Sequence, residues 1–91
     1  MMWEDLEKEL KGLNDTVKND LEEMELLAEI ISSIIDKRRE LKLSQKKLAE
    51  MCGIPQSTIG RMESATVIPN LETIIKILGP LGLKLKVVPI Q

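Results

Sequence analysis

Gln45, Lys46 and Lys47 form one polar cluster of this 91-residue chain, and Gln56, Ser57, Thr58 and Arg61 form another a turn of sequence later. Amide, hydroxyl, ammonium and guanidinium groups all donate hydrogen bonds to phosphate oxygens. A glutamine can also pair in two places with adenine, and an arginine with guanine O6 and N7, each pair worth about 1–3 kcal/mol of discrimination. Ser57 is shorter and less selective. Little other chemistry is on offer. The chain has no histidine, one cysteine and five glycines, with no nucleophile set beside a base, no paired-carboxylate pocket and no glycine-rich phosphate loop. Catalysis is therefore not expected. No metal-ligand spacing occurs among Cys and the carboxylates, so no metal, cofactor or small-molecule substrate is expected either.

The two clusters sit on a stretch, Ser44 to Ala65, that reads as two short helices joined by a tight turn. Leu48, Ala49 and Cys52 recur at helical spacing, and Ile59 with Met62 continues the apolar face on the next helix. Ser44 suits the N-cap of a helix over Gln45 to Cys52. Gly53 can take the left-handed conformation that ends it, and Ala49 and Gly53 are expected where crossing helices leave no room for larger side chains. Lys46 and Lys47 then occupy a first turn whose dipole prefers acids, a cost of a few tenths of a kcal/mol each that a phosphate would reverse. Pro55 sets the entry to the following helix, Gln56 to Glu63. Cys52 lies on the inner face and reads as a small core hydrophobe rather than a redox sensor.

The rest of the chain must support that pair. Trp3 to Leu10 can form a short helix, broken at Gly12, with a new cap at Asn14-Asp15. From Val17 a helical period continues through Leu21, Met24, Leu27 or Ala28, Ile31 and Ile34 or Ile35 to Arg38 and Leu41, with an apolar stripe dense enough for a core only after about Glu25. Asn70 caps a further helix with Glu72 in its first turn, and Leu71, Ile74, Ile75 and Leu78 supply the buried face. Gly79-Pro80 should bend or end it. Leu83 to Val88 alternates apolar and basic with period 2, the signal of a strand. A lone strand must find a partner, so Leu83, Leu85 and Val87 are expected to pair with the same strand of a second copy; the alternative is a tail lying on the core. The domain reading is 1–23 an acidic helical extension, 24–82 the helical domain, and 83–91 the dimerising strand.

The net charge of −2 conceals a division. Residues 1–36 carry eleven acids and three bases, and residues 37–91 carry ten bases and four acids. A basic module with an acidic arm suits two partners, a polyanion and something basic. Trp3 is the only aromatic residue; with Leu6, Leu10 and Leu13 it forms the candidate partner-binding face of the arm. Small size and the lack of aromatics leave a modest core, which favours an added interface with a second chain. Uncharged runs such as Ser64 to Leu71 fall far short of the roughly 20 residues that span a bilayer, and the acidic start is unlike a signal peptide. A cytoplasmic setting without membrane contact is expected.

With Gln45, Ala49, Gly53, Ile59 and Glu63 in place, residues 27–81 resemble the Xre/Cro family, the lambda-repressor-like helix-turn-helix proteins. The spacing Gln-x-x-Leu-Ala-x-x-x-Gly-Ile-x-x-x-x-Ile-x-x-Met-Glu carries the likeness. It implies an all-α, five-helix DNA-binding domain, here with the N-terminal helical extension and one short C-terminal strand. It also implies base reading by Gln56, Ser57 and Arg61 and phosphate contacts from Gln45, Lys46, Lys47, Thr58 and Ser64. Gln45 would brace Gln56, and Arg38 with Glu63 would form a structural ion pair. The acidic extension and the terminal Leu-Gly-Leu-Lys-Leu-Lys-Val are similar to HigA-type antitoxins. That resemblance implies a homodimer that binds double-stranded operator DNA, represses its own operon and neutralises a basic RelE/HigB-like mRNA-cleaving toxin. The other readings are a stand-alone repressor of the same family and a scaffold that kept the fold without binding DNA, which the pI of about 5.2 favours. The chain departs from the family pattern at Ser64-Ala65-Thr66, which lacks the usual glycine, and at the Gly79-Pro80 break.

Overall fold

The computed structural model describes residues 15–90, and they contain four α-helices: α1 (Asp15–Glu40), α2 (Gln45–Cys52), α3 (Gln56–Glu63) and α4 (Leu71–Leu78). The chain divides into two compact units between Ile30 and Ile31, inside α1. In the first unit Met24 and Leu26 are exposed, and Leu27 and Ile30 are half-buried. The second unit holds everything described below.

Its core is aliphatic. Ile34 from α1, Leu48 and Ala49 from α2, Ile59 and Met62 from α3, and Ile74, Ile77 and Leu78 from α4 are buried, joined by Leu81 beyond α4. Each of these side chains larger than alanine contributes about 1.5–3 kcal/mol by leaving water. Among the described residues no polar residue is buried. The helix α2 packs against α3 and, less extensively, α4.

Side-chain caps start two of the helices. Ser44 accepts a hydrogen bond from the Lys47 amide at 3.0 Å at the head of α2, and Asn70 accepts one from the Thr73 amide at 2.8 Å at the head of α4. Pro55 precedes α3 without a side-chain cap, its φ of −64° already suited to helix entry.

The same motif closes α1, α2 and α3, and the extra turn that follows α4. The residue after each last turn turns left-handed, its amide bonds three residues back, and the next amide bonds five residues back. After α1, Lys42 and Leu43 donate to the Arg39 and Arg38 carbonyls, both at 3.0 Å. After α2, Gly53 and Ile54 donate to Glu50 and Ala49; after α3, Ala65 and Thr66 donate to Met62 and Arg61. After α4, Gly79 keeps a right-handed conformation and one more turn through Pro80 brings Leu81 into the core, before Gly82 and Leu83 donate to Gly79 and Leu78. Glycine occupies the left-handed position at Gly53 and Gly82. Lys42 (φ 58°) and Ala65 (φ 61°) hold it without that freedom, at a cost of about 1–2 kcal/mol each.

Three expectations change. The described residues contain four helices rather than five; the helix expected over Trp3 to Leu10 lies outside them. No strand forms among the described residues: Leu83 to Ile90 joins no ladder, because a strand exists only where a second strand accepts its hydrogen bonds and this segment meets none. Leu83 is half-buried against the end of α4, Leu85 is partly exposed, and Val87 is 99% exposed. Finally, a Cβ added at Gly53 would meet nothing within 4 Å. Its glycine serves the left-handed turn at φ 69°, not close helix packing.

Candidate nucleic-acid interface

The helix α3 divides cleanly into two faces. At about 100° per residue, Gln56, Gly60, Ser57 and Arg61 share one arc and Ile59 and Met62 the opposite one. Ile59 and Met62 are buried, whereas Gln56, Ser57 and Arg61 are exposed. The core contacts thus fix the rotation of α3 and leave two long donors and a short hydroxyl on its outer side. Thr58, at the edge of the arc, is half-buried.

The position of α3 relative to α1 is held by one polar cluster. Arg38 Nε donates to Glu63 Oε2 at 2.7 Å, and Arg38 Nη2 to Glu63 Oε1 at 2.8 Å. The third Arg38 bond, from Nη1, goes to the Leu43 carbonyl at 2.8 Å, in the connection to α2. Both side chains are nearly buried, at 11% and 8% exposure. Gln45 Nε2 adds a bond to Glu63 Oε1 at 3.1 Å, so the cluster joins α1, α2 and α3. Burial alone would push the Glu63 carboxyl up, but hydrogen bonds from Arg38 and Gln45 and the charges of Arg38 and Arg39 outweigh it and hold the group below its ordinary value. The Glu63 hydrogen bond in turn raises Arg38 above an already high value.

Gln45 therefore does something other than brace Gln56. Its amide nitrogen is committed to Glu63, its Oε1 lies 3.5 Å from where a Cβ on Gly60 would sit, and no bond joins it to Gln56. Lys46 and Lys47 stand exposed in the first turn of α2, which has no acidic residue. Ser64, exposed after α3, donates from Oγ to the Arg61 carbonyl at 3.2 Å and lies 2.7 Å from Thr66 Oγ1. Trp3, Leu6, Leu10 and Leu13 lie outside the described residues.

Two features were not visible in the sequence. Beside the outer face of α3 runs a groove of about 210 Å³ with Thr58, Arg61 and Met62 on one side and Val67 to Asn70 and Thr73 on the other. The second is an apolar surface: Leu71 and Ile75 of α4 are 61% and 56% exposed, although helical spacing suggested the buried face. Ile75 also lines a groove of about 330 Å³ with Leu78, Gly79, Leu83, Lys84 and Leu85. Among the described residues no helix is long and apolar enough to cross a membrane, and no cluster of acids and cysteine could hold a metal ion.

Comparison with known proteins gives a consistent picture. The helix-turn-helix family matches residues 34–88. An uncharacterized HTH-type transcriptional regulator of Haemophilus influenzae is 33% identical over 89 residues, which is 98% of this chain and 86% of that protein. Among solved structures, a chain of a toxin–antitoxin module from Streptococcus pneumoniae superposes with a TM-score of 0.73 at 39% identity, covering 99% of this chain and 94% of that one.

Proposed function

Because this chain belongs to the helix-turn-helix family, as a transcriptional regulator of the Xre type, we propose that it is a dimeric, sequence-specific repressor of its own operon. We further propose that it is the antitoxin of a type II toxin–antitoxin pair. The observation that carries the first part is the outer arc of α3, where Gln56, Ser57 and Arg61 stand exposed while Ile59 and Met62 on the same helix are locked in the core. A short helix presenting two bidentate donors suits the major groove, whose base edges carry a distinct donor and acceptor code. Gln56 and Arg61 read bases, with Ser57 between them. Lys46, Lys47, Thr58 and Ser64 grip phosphates, and Gln45 joins them through the second hydrogen of Nε2, the first being donated to Glu63.

Two-fold pairing through residues 83–91, with Leu83, Leu85 and Val87 inward, gives the second reading head. Two heads on one face of a duplex address half-sites about 34 Å apart. Residues 24–82 form the reading domain, and such a regulator works in the cytoplasm. The toxin reading is supported by the likeness to a chain of a toxin–antitoxin module and by the eleven acids of residues 1–36, which suit a basic RelE/HigB-like partner. Trp3, Leu6, Leu10 and Leu13 in residues 1–23 are its anchors.

Co-expression with the neighbouring reading frame tests this. A neighbour that is toxic alone, is rescued by this chain and co-purifies with it supports the antitoxin role, and deletion of residues 1–23 then abolishes rescue while sparing DNA binding. A neighbour harmless on its own leaves a stand-alone repressor.

A further inference from the structure

Val67 and Ile68 form an apolar step next to the polar outer face of α3. They are 48% and 64% exposed, and both line the groove beside Arg61 and Thr58. Single exposed apolar residues need no explanation. These two are adjacent and share a concave surface with Met62 and Pro69, and Val67 is held against the end of α3 by its backbone. The left-handed turn at Ala65 folds the chain back so that two amides converge on the Arg61 carbonyl, Thr66 at 2.9 Å and Val67 at 3.4 Å. The same residue that projects a guanidinium from the outer face of α3 thus anchors Val67 through its backbone. Arg61 is the only charged residue lining the groove, and no carboxylate is present to repel a polyanion.

A groove with one cation, hydroxyls and an apolar step calls for a polyanion that displays an apolar group. In the major groove the only apolar group on a base edge is the thymine C5-methyl. We propose that Val67 is a specificity-determining residue that packs on the C5-methyl of a thymine next to the base read by Arg61; this rests on the DNA-reading role given to α3 above. Arg61 then selects a guanine and Val67 its thymine neighbour, so the two read a dinucleotide from one side of the groove. Ile68 lines the groove without a backbone bond to Arg61 and is the natural comparison.

The test replaces thymines one at a time by deoxyuridine in the footprinted site upstream of the chain's own gene, with the full-length protein. Deoxyuridine keeps every hydrogen bond and removes only the methyl. At one position in each half-site the wild type is expected to lose about fourfold in affinity, the worth of one buried methyl group. Val67→Ala should bind the thymine site more weakly and no longer tell thymine from deoxyuridine there, while Ile68→Ala keeps the difference. The absence of any methyl-sensitive position, or sensitivity that survives in Val67→Ala, overturns the assignment, as does sensitivity abolished by Ile68→Ala alone. A wild type that does not distinguish its upstream site from unrelated DNA overturns the DNA-reading role itself, and this inference with it.

Discussion

Arg38 and Glu63, twenty-five positions apart, meet through two parallel hydrogen bonds of 2.7 and 2.8 Å and so fix the C-terminal end of α3 to α1. The pair is nearly buried, and Gln45 bonds the same carboxylate. Removing one partner strands a charge that has lost its water. Arg38→Ala should therefore destabilise the domain by about 3 kcal/mol or more, and Arg38→Lys, which cannot make the fork, should recover only part of it. Urea unfolding followed by circular dichroism measures both. An Arg38→Ala loss below 1 kcal/mol contradicts the role given to the pair.

The same pair sets a pH dependence. Glu63 is held below its ordinary value in the fold. The unfolded chain therefore binds the proton first as pH falls, and the contribution of Glu63 is complete above the unfolded value of about 4.3 and is lost on the acid side as pH drops through the folded value. Stability should fall below pH 5 and fall less steeply in Glu63→Gln than in the wild type. Equal slopes for the two proteins would remove Glu63 from the acid response.

Lys42 and Ala65 hold left-handed conformations that glycine adopts freely. Relief of about 1–2 kcal/mol of strain against the extra backbone entropy of glycine leaves a gain of about 0.5–1 kcal/mol for Ala65→Gly, and a similar one for Lys42→Gly. Gly53→Ala should lose about 1 kcal/mol or more from backbone strain alone, since no neighbour stands within 4 Å of the new Cβ. Thermal melts of the three variants decide it, and an Ala65→Gly variant no more stable than wild type refutes the account of that turn.

What the sequence disclosed, and what it hid, follows from how local each feature is. Ser44 and Asn70 announce their helices because a cap needs only the three residues that follow, and both make those bonds. Gly53 marks its turn for the same reason. The left-handed conformation of Lys42 and Ala65 is less legible, because their side chains disfavour what the tertiary structure imposes: Ser64-Ala65-Thr66 stands out only as a loop without its usual glycine. The alternating segment Leu83 to Val88 misleads in the opposite sense: its pattern is local, but a strand depends on a partner. Leu81 went unnoticed because Gly79-Pro80 suggested an end to the helix, where the chain instead makes a further turn into the core. Gln45 shows the limit at the site, since its type and position suit several partners and only the fold directs it to Glu63.

Lys47 stands three residues after the cap Ser44, where an acid or amide would complete a reciprocal capping box. Lys47→Gln should thus stabilise the domain by about 0.5 kcal/mol while weakening DNA binding. The slope of log affinity against log salt should become shallower by about 1, the share of one phosphate contact. Binding measured at several salt concentrations separates the two effects. An unchanged slope means that Lys47 touches no phosphate.

If the chain pairs as proposed, deletion of residues 83–91 removes Leu83, Leu85 and Val87 from the interface, and sedimentation should show a dimer for the full chain and a monomer for the truncated one. A truncated protein that remains dimeric would move the interface to the exposed Leu71 and Ile75 of α4.

DNA recognition as proposed turns on base reading by the outer arc of α3. Its most direct measure is the ratio of affinities for the chain's own upstream site and for scrambled DNA of equal length, in wild type, Gln56→Ala and Arg61→Ala. Each substitution should cost about 1–3 kcal/mol of that ratio, with binding to scrambled DNA changed far less. Ratios equal to that of the wild type in both variants would show that sequence is read elsewhere, or not at all.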